Sequence, residues 1–148
     1  MFLSGILARS RTRVKTNAVT SLLRGARWLP AALWMAGIFY LSHQSAPLGK
    51  TASLIESIVA HLGLYAGLAL LLCWALISNT NRTFTPRWVP VGLAFALTVL
   101  FGVSDELHQA FVPGRTSSEA DVAVDAAGAS IGLALSLLAD RFVPRTGP

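Results

Sequence analysis

Cysteine is nearly missing from this chain. The lone Cys73 sits inside an apolar run, so neither a disulfide framework nor a cysteine-built zinc site can form within one chain. It reads as a small packing or lipid-facing residue. Charge is scarce as well, with 13% of the 148 residues charged against 53% hydrophobic and a mean hydropathy of +0.58. That balance lies on the membrane side of ordinary protein composition and fits one compact domain. Acids are the scarcer sign, 7 against 12 basic residues, for a net charge of +5. A basic excess can point to nucleic acid, but the basic residues here are not interleaved with aromatics on one face, so no nucleic-acid partner is expected. Internal repeats, low-complexity tracts and compact metal-ligand motifs are also missing. The sequence therefore names no metal and no cofactor.

What is present begins with a basic arm. Residues Met1 to Arg27 hold Arg9, Arg11, Arg13, Lys15, Arg24 and Arg27 and no acid. Such a composition resembles a transit peptide, and Phe2 to Ala8 a weak signal core, but the membrane segment that follows directly makes it a topogenic cytoplasmic arm. Four apolar spans come next: Trp28 to Gln44, Ser57 to Ile77, Trp88 to Val112 and Ser118 to Ala139. The first is short of the roughly 20 residues a helix needs to cross. Pro113 and Gly114 suit the centre of a type II turn. Ser118 followed by Asp121 resembles a capping box that starts the last helix.

Basic residues orient the chain. Six lie in the N-terminal arm, Arg82 and Arg87 in the second loop, and Arg141 and Arg145 in the tail, whereas the other two loops hold only Lys50 and Arg115. The positive-inside rule then sets both termini in the cytoplasm. The expected architecture is all-α, a polytopic membrane four-helix bundle, with a basic arm over 1–27, a membrane domain over 28–139 and a short cytoplasmic tail over 140–148.

The acids are concentrated in one place. Five of seven, Asp105, Glu106, Glu119, Asp121 and Asp125, fall between Ser104 and Asp125, at the joined ends of two apolar spans. An ionisable residue within a membrane segment is costly and normally faces protein or water, which makes it a functional hypothesis by default. Asp105 and Asp125 each lie about 10 Å along their helices from the outer end, at 1.5 Å per residue. His61 and Tyr65 enter the second span at similar depth, and Ser42, His43 and Gln44 end the first span at the same side. Asp121, Asp125, Gly128 and Gly132 form one stripe on the fourth helix. Asp105, His108 and Gln109 share a face on the third, with Glu106 at its edge. These positions predict an outer cavity lined by carboxylates, imidazoles and Arg115.

Plainer roles suit other residues. The Gly63/Gly67 and Gly128/Gly132 pairs read as packing seams. Glu119 lies on the opposite face from Asp121 and reads as a solvated first-turn acid. His43 reads as interfacial, and Arg115 taken alone as a head-group anchor.

The run Ser104-Asp105-Glu106-Leu107-His108-Gln109, then Phe111-Val112-Pro113-Gly114-Arg115, then Asp121, Asp125 and Gly128, resembles the signature of the VanZ-like family of small bacterial membrane proteins. Leu41-Ser42-His43-Gln44-Ser45 resembles that family's first-helix Ser-x-Gln element, and His61 with Tyr65 its His-x-x-x-Tyr element. The likeness covers about Leu29 to Leu138. It departs at Ile58, where relatives often carry Lys, and at Leu64, where they carry an acid. The resemblance implies a four-helix protein of the bacterial inner membrane, in a family whose founding member is associated with low-level teicoplanin resistance.

The expected function is acid–base chemistry on a lipid-linked or cell-envelope substrate. Asp105, Glu106, His108, Asp121 and Asp125 are the candidate catalytic residues. Ser42, Gln44, His61, Tyr65, Gln109 and Arg115 are the candidate substrate-binding residues. The alternative is a non-catalytic binder of membrane lipids or a lipoglycopeptide-like ligand, contributing to envelope or antibiotic tolerance. A metal site on His61, His108 and the carboxylates is a minor reading. A proton-relay transporter is disfavoured because the polar groups gather at one end.

Overall fold

A computed structural model describes residues 19–45, 53–80 and 84–142, with side chains through Ala139. Most of the basic arm, part of the first loop, Arg82 and the tail beyond 142 lie outside the described residues. Four helices follow in order: α1 (Leu29–Ser42), α2 (Leu54–Asn79), α3 (Trp88–Gln109) and α4 (Glu119–Phe142). A short helical stretch over 19–26 and a turn lead into α1. Among the described residues there is no strand.

Near-continuous apolar sequence makes these helices, and polar punctuation ends them. Pro30 falls in the first turn of α1, where a missing N–H costs nothing. Ser53 opens α2 with a capping box: its hydroxyl accepts from the Glu56 amide while the Glu56 carboxylate accepts from the Ser53 amide at 2.7 Å. Between α3 and α4 the chain reverses through the expected turn, with Gly114 at φ +81° and the Arg115 amide donating to the Val112 carbonyl at 3.1 Å. Hydroxyls inside the helices bond back one turn, Thr98 to the Ala94 carbonyl and Ser130 to the Ala126 carbonyl, both at 2.8 Å. These two hydroxyls are thereby paired within their own helices.

Three helices, α2, α3 and α4 to Ala139, are long and apolar enough to cross a membrane. The chain is a membrane protein. At 14 residues α1 is about 21 Å long, short of a roughly 30 Å hydrocarbon core. The bundle is built around α2, which shares its largest interface with α4 and packs on α3 and α1 as well. Its core is made of Tyr65, Leu68, Ala69, Leu72 and Cys73 with Ala94, Ala129 and Leu133. Small residues bring the backbones together: a Cβ on Gly128 would stand 2.6 Å from the Leu62 carbonyl oxygen, and one on Gly132 would strike that of Ala66. The α4 glycine seam therefore rests on Leu62 and Ala66. Gly67 instead carries the Trp34 indole, and Gly63 has open space beside it, so the expected Gly63/Gly67 seam does not form. Leu97, Leu100, Leu107, Ile131 and Leu135 face outward, as a lipid-bathed exterior requires.

Candidate functional site

The helices alternate in direction, so α1 and α3 end where α2 and α4 begin. The polar residues gather at that end. Asp105, at 2% exposure, is the hub: its Oδ2 accepts from the Ser42 hydroxyl at 2.6 Å, the Gln109 amide at 3.1 Å and the Tyr65 hydroxyl at 3.4 Å. Gln109 uses its other end to accept from the Arg115 guanidinium at 2.5 Å. The chain Arg115–Gln109–Asp105–Ser42 thus links the α3–α4 turn to α3 and α1.

A second pair lies alongside. Asp125, fully buried, holds His61 Nδ1 at 2.8 Å through Oδ1. Room for it comes from Gly102, where a Cβ would lie 2.9 Å from Asp125 Oδ2 and 3.2 Å from the Tyr65 ring. The rings of His61 and Tyr65 lie nearly parallel, 6.2 Å apart. Asp121 is half-buried one turn before Asp125. Several buried oxygens here have no partner: Asp105 Oδ1, Glu106 Oε1 and Asp125 Oδ2. Unpaired buried acceptors cost free energy, and such a cluster fits a site that expects water or a ligand.

The space beside these groups is a cavity of about 440 Å³. Ser42, His61, Tyr65, Asp105 and Arg115 form its polar wall, and Trp34, Ile38, Leu41, Val59 and Leu64 its apolar one. Its size is that of a small-molecule site.

A family model described as VanZ/LLP1 matches residues 27–140, well over half of the chain. The chain belongs to the VanZ/LLP1 family. No curated protein and no solved structure gives a match.

Not every expected site residue of this VanZ/LLP1 protein joins the cluster. His108 leaves it. The buried face of α3 runs through Thr98, Gly102, Asp105, Glu106 and Gln109, so its centre falls between Asp105 and Glu106 and turns His108 outward. There His108 stacks on Phe39, with ring centres 4.2 Å apart, and its Nε2 lies 3.4 Å from His43 Nδ1. Both imidazoles line a separate groove, with Met35 and Phe101, on the other side of α1 from the cavity. The sequence reading that put His108 on the Asp105 face with Glu106 at the edge is thus reversed.

Glu106 is 3% exposed, but its Oε2 accepts from the Ser118 amide at 2.8 Å. It occupies the place expected for Asp121 in a capping box, because an acid from the neighbouring helix reaches the α4 N-terminus instead. Gln44 stands past the end of α1, outside both the hydrogen-bond chain and the cavity lining. Among the described residues no three His, Cys, Asp or Glu side chains come together to hold a metal ion, which leaves the metal reading without a ligand set.

The sequence reading missed Gly102, Trp34, Ser57 and the Ser53 capping box. The box was legible as Ser-x-x-Glu before an apolar run. Gly102 had a weaker signal, lying one turn before Asp105 on the same face. Trp34 donates its indole N–H to the Leu64 carbonyl at 2.8 Å, packs its ring on Gly67 and lines the cavity.

Proposed function

We propose that this VanZ/LLP1 protein performs acid–base chemistry on the polar head of a lipid-linked or cell-envelope substrate held in the α1–α2 cavity. The single observation that carries this reading is the His61–Asp125 pair, 2.8 Å apart, with His61 on the wall of a cavity that is otherwise largely apolar and Asp125 buried behind it. A buried carboxylate that accepts from Nδ1 fixes the ring and leaves Nε2 as the proton acceptor. Asp105, already bonded to Ser42 and Tyr65, positions hydroxyl groups around the substrate head. Asp121 stands one turn before Asp125 on the same helix. Glu106 acts by fixing the start of α4, and therefore the position of Asp125.

The membrane is the bacterial inner membrane in this reading, with both termini cytoplasmic, the basic arm over 1–27 and the tail over 140–148 on that side, and the cavity at the outer face. Arg24, Arg27 and Arg87 lie at the end remote from the cavity, and Arg27 donates to the Ser78 carbonyl at the close of α2, which supports that orientation.

A second reading is a non-catalytic binder of lipids or a lipoglycopeptide-like ligand, with envelope or antibiotic tolerance as its consequence. It is favoured by the absence, among the described residues, of any serine or cysteine hydroxyl or thiol hydrogen-bonded to His61. Incubating the purified protein with extracted envelope lipids, and following both retained lipid and new products by mass spectrometry, separates the two. Asp125→Asn is expected to retain lipid and to lose product formation by about 10²- to 10⁴-fold, the usual weight of general acid–base catalysis. Equal turnover in wild type and Asp125→Asn would sink the catalytic assignment.

A further inference from the structure

We infer that the cavity takes a phosphate group borne on a single alkyl or isoprenyl chain, inserted sideways between α1 and α2 with its anionic head on Arg115. The inference rests on the cavity being the working site, and it deepens that reading by naming the ligand class.

Three observations carry it. Arg115 lines the cavity without a charge partner: among the described residues no carboxylate oxygen lies within salt-bridge distance of it, and its buried Nε has no hydrogen-bond acceptor. Its one acceptor is Gln109 Oε1, a neutral amide that stands between the guanidinium and Asp105. A half-buried guanidinium with spare donors matches a phosphate or carboxylate oxygen pair. Among the described residues Asp105 is the only carboxylate in the lining, and the three donors on its Oδ2 offset its repulsion of an anion.

The cavity also opens toward lipid. Val59, at 61% exposure, and Trp34, at 41%, belong to its wall, so the opening lies in the seam between α1 and α2 on the side of the bundle. The walls run from Trp34 to Ser42 on α1 and from Ser57 to Tyr65 on α2, about 12 Å of each helix at 1.5 Å per residue. A slot of that length holds part of one chain.

Finally, the charge is held in place. Arg115 follows a turn that is closed by the positive φ of Gly114 and tied to the end of α1 by the Ser45 hydroxyl, which donates to the Pro113 carbonyl at 3.0 Å. The cation is therefore fixed at one end of the slot.

Binding by the full-length protein in maltoside micelles tests this, with lysophosphatidic acid as probe. Monoacylglycerol of the same chain, inorganic phosphate and an alkyltrimethylammonium serve as comparisons. Lysophosphatidic acid is expected to bind saturably, and about tenfold or more tighter than monoacylglycerol, as a charge-assisted contact requires. Inorganic phosphate is expected not to compete at matched concentration. Arg115→Gln should remove that preference, and Arg115→Lys, which keeps the charge without the planar fork, should keep only part of it. Gly63→Leu places a side chain in the opening where no atom lies within 4 Å, so it should abolish binding of both lipids while leaving the melting temperature unchanged or raised. Equal binding of the charged and neutral lipids, preference for the ammonium, competition by phosphate alone, or an unchanged Arg115→Gln would each overturn the inference. These are readouts without turnover, so active Asp125→Asn would remove the acid–base reading and leave this one standing.

Discussion

At the residue scale, bond length separates the contacts that matter from those that only touch. Ser42 donates to Asp105 at 2.6 Å, within the range of a charge-assisted O–H···O bond, while Tyr65 reaches the same oxygen at 3.4 Å. Ser42→Ala is therefore expected to cost about 1.5–3 kcal/mol of stability, and Tyr65→Phe less than about 1 kcal/mol, in denaturant unfolding. Similar losses in the two would mean that Asp105 is not held as described. The imidazoles divide just as sharply. His61→Gln is expected to lose turnover to the same degree as Asp125→Asn, and His108→Gln to keep it, because His108 stacks on Phe39 beyond α1. A His108→Gln variant as inactive as His61→Gln would return His108 to the chemistry. The sequence could not separate these histidines, since both lie within one turn's spacing of an acid or a tyrosine. What decides is where the buried face of each helix is centred, and that is set by packing against the other helices.

At the element scale, spacing was read well and partnership less well. Spans, turn and the Asp121–Asp125 stripe follow from hydrophobic run length and from residues recurring at three and four, both local properties. The glycine contacts do not, because Gly128 and Gly132 meet carbonyls of Leu62 and Ala66, which no spacing within α4 can name. Gly132→Ala should force α2 and α4 apart, costing about 1–3 kcal/mol and lowering the melting temperature, whereas Gly92→Ala, with open space at its Cβ, should not. Equal melting temperatures for the two variants would contradict the close approach. The caps show the same division. Ser53 with Glu56 is a local box, while α4 takes its acid from Glu106 on α3. α1 is the outlier among the elements: it is short, and its apolar faces separate the carboxylate cavity from the histidine groove.

At the scale of the whole molecule, the chain puts apolar residues on its exterior and sorts its charges by end. Asp105, Glu106, Asp121, Asp125 and His61 meet where α2 and α4 begin, and Arg27 bonds the far end of α2. Concentrating intramembrane charge in this way is explained if that end is open to the outside and to a ligand from the lipid. Topology therefore tests the account most directly. Ser57 lines the cavity and is half-buried, whereas the native Cys73 is fully buried. Ser57→Cys in intact spheroplasts should react with a membrane-impermeant maleimide added outside, while the wild-type protein stays unlabelled. Labelling of Ser57→Cys only in inverted vesicles would place the cavity on the cytoplasmic side and contradict the account.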